Sequence, residues 1–191
     1  PDDRYITQYI LSGIGHLQKI TGTDPGQQKD LQTIIATAIP YLDQKIKKDY
    51  DGLKKSKADL KKQVPPSLSI QYLYMRSFFT KIPLPKEVQP AFDYYRAQAK
   101  LFWTTESKYL QGMTALVLQR NGDVATAKAI IRSLKETAIT NEEQGMYWKE
   151  NSFGRSPFWQ QAPIETQALL IEAFTEITTD EDAVNNMKTW L

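Results

Sequence analysis

Apolar residues recur at helical spacing along almost the whole chain, and no stretch shows sustained alternation of apolar and polar positions between hairpin turns, so the pattern reads as helices only. A first helix is predicted from about Arg4 to Ile20, burying Ile6, Ile10, Ile14 and Leu17 and ending at the turn Thr21-Gly22-Thr23-Asp24-Pro25-Gly26. A long pattern follows from about Gln27 to Leu60, with Leu31, Ile34, Ile35, Ala38, Leu42, Ile46 and Leu53 on one side. Pro40 lies inside it and is expected to kink it by removing a backbone donor, while Pro65-Pro66 enforces a break. Further helices are predicted at about Leu68 to Phe79, Val88 to Thr105, Ser107 to Asn121, Ala125 to Ala138, Ile164 to Thr178 and Glu181 to Leu191. Ile82-Pro83-Leu84-Pro85 and Asn121-Gly122-Asp123 separate them.

Tyr72, Tyr74, Phe78 and Phe79 are spaced to surround one helix, as in an element contacted on several faces, and Tyr94, Tyr95, Phe102 and Trp103 behave similarly; both groups read as core. Only Met146 to Ala162 resists assignment. It is too aromatic for a loose linker and too broken by Gly154 and Pro157 for a helix, and a loop of that length is functional or packed on itself.

An internal repeat organises the helices. A gapless shift of 56 residues lays Gln111 on Gln167, Met113 on Leu169, Leu118 on Phe174, Ala127 on Ala183, Ile131 on Met187 and Leu134 on Trp190. These positions fall on both helices of a hairpin, and a looser echo appears in Ile70-Gln71-Tyr72 and Thr7-Gln8-Tyr9. A hairpin recurring at such a period cannot bury its apolar face alone and must stack on its neighbours, as an open solenoid or a closed ring.

The 191 residues, 41% hydrophobic, suffice for one continuous core and point to one domain spanning 1–191. Pro1-Asp2-Asp3-Arg4 has no initiator Met or apolar signal stretch, and the final residues stop within an amphipathic pattern, so both ends are expected to continue into a larger protein. No apolar run approaches the roughly 20 residues of a membrane helix, so no direct membrane insertion is expected of this segment. A net charge of +2 argues against a nucleic-acid partner. The lysines between Lys45 and Lys62 interleave with Asp43, Asp49, Asp51 and Asp59, with Asp43–Lys47 and Asp51–Lys55 at pairing distance, and read as a solvated helix face, with a partner patch as the alternative. The absence of Cys excludes a disulfide, a Cys nucleophile, a Cys-ligated zinc and a thioester within the segment.

The stretch Arg4-Tyr5-Ile6-Thr7-Gln8-Tyr9-Ile10 with Gly15-His16-Leu17 resembles the toroid segment of large bacterial alpha-2-macroglobulin-like proteins of Bacteroidetes type. The resemblance extends to Ile70 through Phe79, to Gly145-Met146-Tyr147-Trp148-Lys149, to Ala162 through Phe174, and to the closing Met187-Lys188-Thr189-Trp190-Leu191. It implies a partial α/α-toroid of stacked antiparallel hairpins, in which inner and outer helices alternate. It also implies a role within a protease-trapping inhibitor of the cell envelope, periplasmic or anchored through the parent to the outer membrane. The partners would be the parent's other domains and, through the parent, target proteases. Many members capture the protease through a Cys-Gln thioester; Asn141-Glu142-Glu143-Gln144 is no substitute for that motif, and no thioester residue carries over.

No catalytic residue, metal ligand set or cofactor is assigned, and the segment is not read as an enzyme. His16, the only histidine, has no metal-binding companions in the sequence and reads as structural or surface-exposed. The candidate binding residues are Tyr147, Trp148, Trp159 and Glu165, where aromatic and charged side chains mix as they do in sites that stack sugars or peptides. The same mixture suits a plug packed on a ring of helices, with Glu165 at the positive end of the dipole of the helix opening at Ile164. The plug is the preferred reading; the alternative is a carbohydrate-active α/α-toroid hydrolase or lyase using loop 146–165, which requires two facing carboxylates.

Overall fold

A computed structural model describes residues 3–22, 29–149 and 163–191. Its described residues form eight α-helices and one small antiparallel two-stranded ladder: α1 (Arg4–Thr21), α2 (Lys29–Lys55), α3 (Ser67–Arg76), α4 (Gln89–Phe102), α5 (Lys108–Arg120), α6 (Val124–Glu136), β1 (Ile139–Asn141), β2 (Gly145–Tyr147), α7 (Pro163–Ile177) and α8 (Glu181–Trp190). A single 3₁₀ turn, Trp103–Thr105, follows α4. The all-α expectation holds apart from the ladder, and the chain divides into two compact units, 1–99 and 100–191.

In the first unit α1 packs on α2 and α3. Asp3 caps α1, accepting from the Ile6 amide at 3.1 Å. The buried side of this helix is Gln8, Leu11, Ile14 and Gly15, whereas Ile6, Ile10 and Leu17, expected in the core, are exposed. The reason is steric. A Cβ at position 15 would lie 2.5 Å from Phe78 Cγ, so only glycine lets the helix approach here, and that contact fixes which of two apolar sides turns inward.

α2 runs through Pro40 and stops at Lys55, short of the expected Leu60. Lys57 adopts a left-handed conformation with φ 55°, the Ala58 amide donates to the Leu53 carbonyl and the Lys57 amide to that of Lys54. This is a Schellman closure built on a residue other than glycine. The helix buries Ile35, Ile39, Leu42, Asp43 and Ile46. Two expected ion pairs are therefore re-partnered: Asp43 faces inward instead of toward Lys47, and Asp51 pairs with Lys47 and Lys54 instead of Lys55. Asp43 follows Ile39 by one helical turn and precedes Ile46 by another, which places it in the buried stripe. Asp51, half-buried, is drawn down to a pKa of about 2 by the hydrogen bond from Lys47 and then that from Lys54.

α3 is buried from Ser69 through Arg76, on every side, as the distribution of its aromatics predicts. Tyr72 meets Phe92 of α4 edge-on at 6.5 Å, and Tyr94 of α4 packs on Tyr50 at 5.0 Å and donates to the Leu60 carbonyl. Phe78 and Tyr94 are half-buried, Tyr95 fully buried.

The second unit contains both copies of the 56-residue hairpin. α5 packs on α6 and on α7, and α7 on α8. α5 is buried continuously from Gln111 to Leu118, whereas α6 buries one stripe, Ala127, Ile130, Ile131 and Leu134. α7 buries Thr166, Gln167, Leu169, Leu170, Ala173, Phe174 and Ile177; α8 buries Ala183, Val184 and Met187. Five of the six matched pairs are buried in both copies; the sixth differs, because Leu134 is fully buried and Trp190 half-buried. The helix starts are capped alike, offset by one residue from the repeat: Asp123 caps α6 through the Thr126 amide, and Asp180 caps α8 through the Ala183 amide.

The ladder departs from the helices-only expectation. Ile139 pairs with Tyr147, Thr140 with Met146 and Asn141 with Gly145. The turn is made by side-chain chemistry instead of apolar alternation: Asn141 Oδ1 accepts from the Gln144 amide at 2.6 Å, and Gly145 follows at φ 71°. A Cβ on Gly145 would sit 2.1 Å from the Asn186 carbonyl oxygen, so glycine is required by both its conformation and the approach of α8.

Candidate functional site

The ladder positions the first half of the aromatic segment. β2 lies against α8, with Met146 buried and its carbonyl accepting from Gln167 Nε2 at 2.7 Å. The same Gln167 nitrogen donates to the Met187 carbonyl at 3.0 Å, so one buried amide on α7 ties together β2 and the last turn of α8. Tyr147 is half-buried, its ring stacked on Trp190 at 6.0 Å and 18°.

Trp148 turns into the core. It is 7% exposed, its indole N–H donates to the Leu134 carbonyl at 2.8 Å, and its ring lies 6.1 Å from that of Phe174, which is fully buried. The Leu134 carbonyl belongs to the last turn of α6 and also accepts from the Thr137 amide at 3.2 Å and the Thr137 hydroxyl at 3.1 Å, so the indole adds a further donor at this helix end. Glu165 is exposed in the first turn of α7, whose first residue is Pro163. Trp159 lies outside the described residues. Of the four candidates, then, Tyr147 and Trp148 are placed in packing roles beside α8 and α6, and Glu165 stands at an exposed helix start.

Two polar constellations were not singled out from the sequence. In the first unit Tyr72 Oη donates to Asp43 Oδ1 at 2.6 Å and Arg76 Nε donates to the same oxygen at 3.2 Å. The rest of the Arg76 guanidinium donates to the carbonyls of Phe79, Ile82 and Pro83 at 3.0 to 3.2 Å. All three side chains are buried. Burial, then the charge of Asp43 and its hydrogen bond, raise Tyr72 well above the ordinary phenol range, so that it remains a donor. The neighbouring Tyr95 is pushed up to about 12, again mainly by burial. A signal existed in the register of Asp43 on an apolar stripe, since a carboxylate there needs a cationic partner.

In the second unit Arg120 donates from Nε to Glu176 Oε1 at 2.8 Å, and from one terminal nitrogen to Glu176 Oε2 at 2.7 Å and Glu172 Oε1 at 2.6 Å. Burial opposes the charge on Arg120, but the hydrogen bonds and fields of Glu176 and Glu172 outweigh it and raise the guanidinium above its ordinary value. His16 Nε2 stands 2.7 Å from Tyr74 Oη, with its ring 4.8 Å from that of Phe78.

In these groups the buried ions are compensated in pairs or triads, and Gln167 bridges two backbone carbonyls. Among the described residues no three His, Asp or Glu side chains assemble as a metal site, and no helix is long and apolar enough to cross a membrane. No family model, curated protein or solved structure matches this chain.

Proposed function

We propose that the chain is a structural and interaction module of a bacterial alpha-2-macroglobulin-like protease trap: a partial α/α-toroid whose inhibitory activity belongs to the whole parent protein in the cell envelope. The observation that carries the reading is the alternation, within the hairpin repeat, of a helix buried on all sides with one buried along a single stripe, α5 with α6. A central helix paired with a peripheral one is what inner and outer helices of a layered stack would present, and it supports the reading. The aromatic segment supports it. Trp148 spends its only donor on the end of α6 and its ring on Phe174, which suits a plug that seals helix ends better than a platform for a sugar. A carbohydrate-active enzyme on this fold would need aromatic faces and two carboxylates turned toward a ligand.

The test is made on the parent. Incubation with several proteases is expected to cleave a bait segment and leave each protease active on small substrates while blocked on large ones. Intact parent together with unimpaired cleavage of large substrates would overturn the reading.

A further inference from the structure

Two side chains in the buried stretch of α5 carry oxygen atoms that the fold does not satisfy. Gln111 and Thr114 are 5% and 0% exposed, and among the described residues neither Gln111 Oε1 nor Thr114 Oγ1 has a hydrogen-bond partner. A buried oxygen left so costs as much as a lost hydrogen bond. The Gln111 amide is held in one orientation: Nε2 donates to the Glu106 carbonyl at 2.8 Å, so the oxygen is the atom left over. Thr114 departs from Thr21, Thr33, Thr37 and Thr189, which each donate to the carbonyl four residues earlier at 2.8 to 3.1 Å. Its own hydroxyl does not close that bond to Leu110. From these two oxygens we infer that Gln111 and Thr114 form a binding site for one ordered internal water molecule.

The chemistry of the pair selects the occupant. Gln111 Oε1 only accepts, whereas a threonine hydroxyl both donates and accepts, so the bound group must donate to the first and exchange a hydrogen bond with the second. Water does both and is small enough for a buried site. Residues three apart on a helix are neighbours, with Cβ atoms about 5 to 6 Å apart, a span that one water bridges. The repeat supplies a comparison. A shift of 56 residues lays Gln111 on Gln167 and Thr114 on Leu170. In that second copy Gln167 Nε2 serves two backbone carbonyls, and Leu170 is a fully buried apolar side chain. The hairpin therefore does not require a hydroxyl at this place. It is found in the copy whose glutamine oxygen needs a donor. The site does not depend on the function proposed above.

A high-resolution crystal structure of the 191-residue chain is expected to show one water within about 2.6 to 3.2 Å of both oxygens. Thr114→Val keeps the shape of the side chain and removes the hydroxyl. It is expected to displace the water and to lower the urea unfolding midpoint, because Gln111 Oε1 loses its donor. Were the hydroxyl bonded to nothing, the same substitution would delete an uncompensated polar group and raise the midpoint instead. Thr114→Ser, which keeps the hydroxyl, is expected to retain the water. A site without ordered water, a hydroxyl bonded to the Leu110 carbonyl or directly to Gln111, or a midpoint raised or unchanged by Thr114→Val would each overturn the inference.

Discussion

Arg120 and Glu176 occupy the same position in successive hairpins, 56 residues apart, yet carry opposite charges and are hydrogen-bonded to each other at 2.8 Å. The repeat thus supplies its own cross-brace: one copy contributes the cation, the next contributes the anion, and Glu172 one turn earlier completes the triad at 2.6 Å.

Removing the cation takes the guanidinium charge away from two mostly buried carboxylates. Arg120→Met is expected to destabilise the chain by about 3 to 5 kcal/mol. Adding Glu172→Gln and Glu176→Leu is expected to restore most of that loss, and equilibrium urea unfolding of the three variants measures both steps.

Gln167 holds β2 and α8 with one nitrogen. Gln167→Leu leaves the Met146 and Met187 carbonyls without that donor, at an expected cost of about 1 to 3 kcal/mol. Hydrogen exchange should show earlier loss of protection in β2 and the last turn of α8 than in α5.

Gly145→Ala combines a left-handed backbone with a collision against the Asn186 carbonyl. It is expected to destabilise by more than about 2 kcal/mol. The stacking of Tyr147 on Trp190 should be lost with it, giving a change in near-ultraviolet circular dichroism that Gly13→Ala does not produce.

Acid weakens the helix starts. Asp123 is held below its ordinary pKa chiefly by the hydrogen bond from Lys100, and Asp180 chiefly by its bond with Lys135. A carboxylate lowered in the folded state contributes stability that is complete above the unfolded value of about 3.9 and lost as pH falls through the folded value. Unfolding midpoints are therefore expected to decline below about pH 4, and the decline should be shallower in Asp123→Asn and Asp180→Asn, which keep an acceptor for the cap but have no charge to titrate.

The helices were legible because their apolar spacing is long and regular, and α5 to α8 emerged within two residues of their predicted bounds. α1 shows where spacing stops informing. Both of its sides are apolar, and the choice between them is made by a contact with Phe78, sixty-three positions from Gly15, that no local pattern encodes. The ladder escaped for another reason: three-residue strands set by an Asn side chain and one glycine leave no periodic trace. Asp43 was misplaced because pairing at helical distance ignores which way a side chain faces; Lys47 found Asp51 instead. Trp148 and Glu165 are neighbours in the candidate segment, but one closes the end of α6 and the other stands in solvent, a division set by where β2 docks.

Arg76 ties α2 and α3 to the segment that follows α3. Its guanidinium serves Asp43 on α2 and three carbonyls in the segment after α3, so each of these elements is satisfied only when the others are present. A half-docked α2 would strand a dehydrated cation or a dehydrated carboxylate, an outcome worse than no docking at all. Intermediates of that kind are disfavoured, and α2, α3 and the following turn are expected to come apart together.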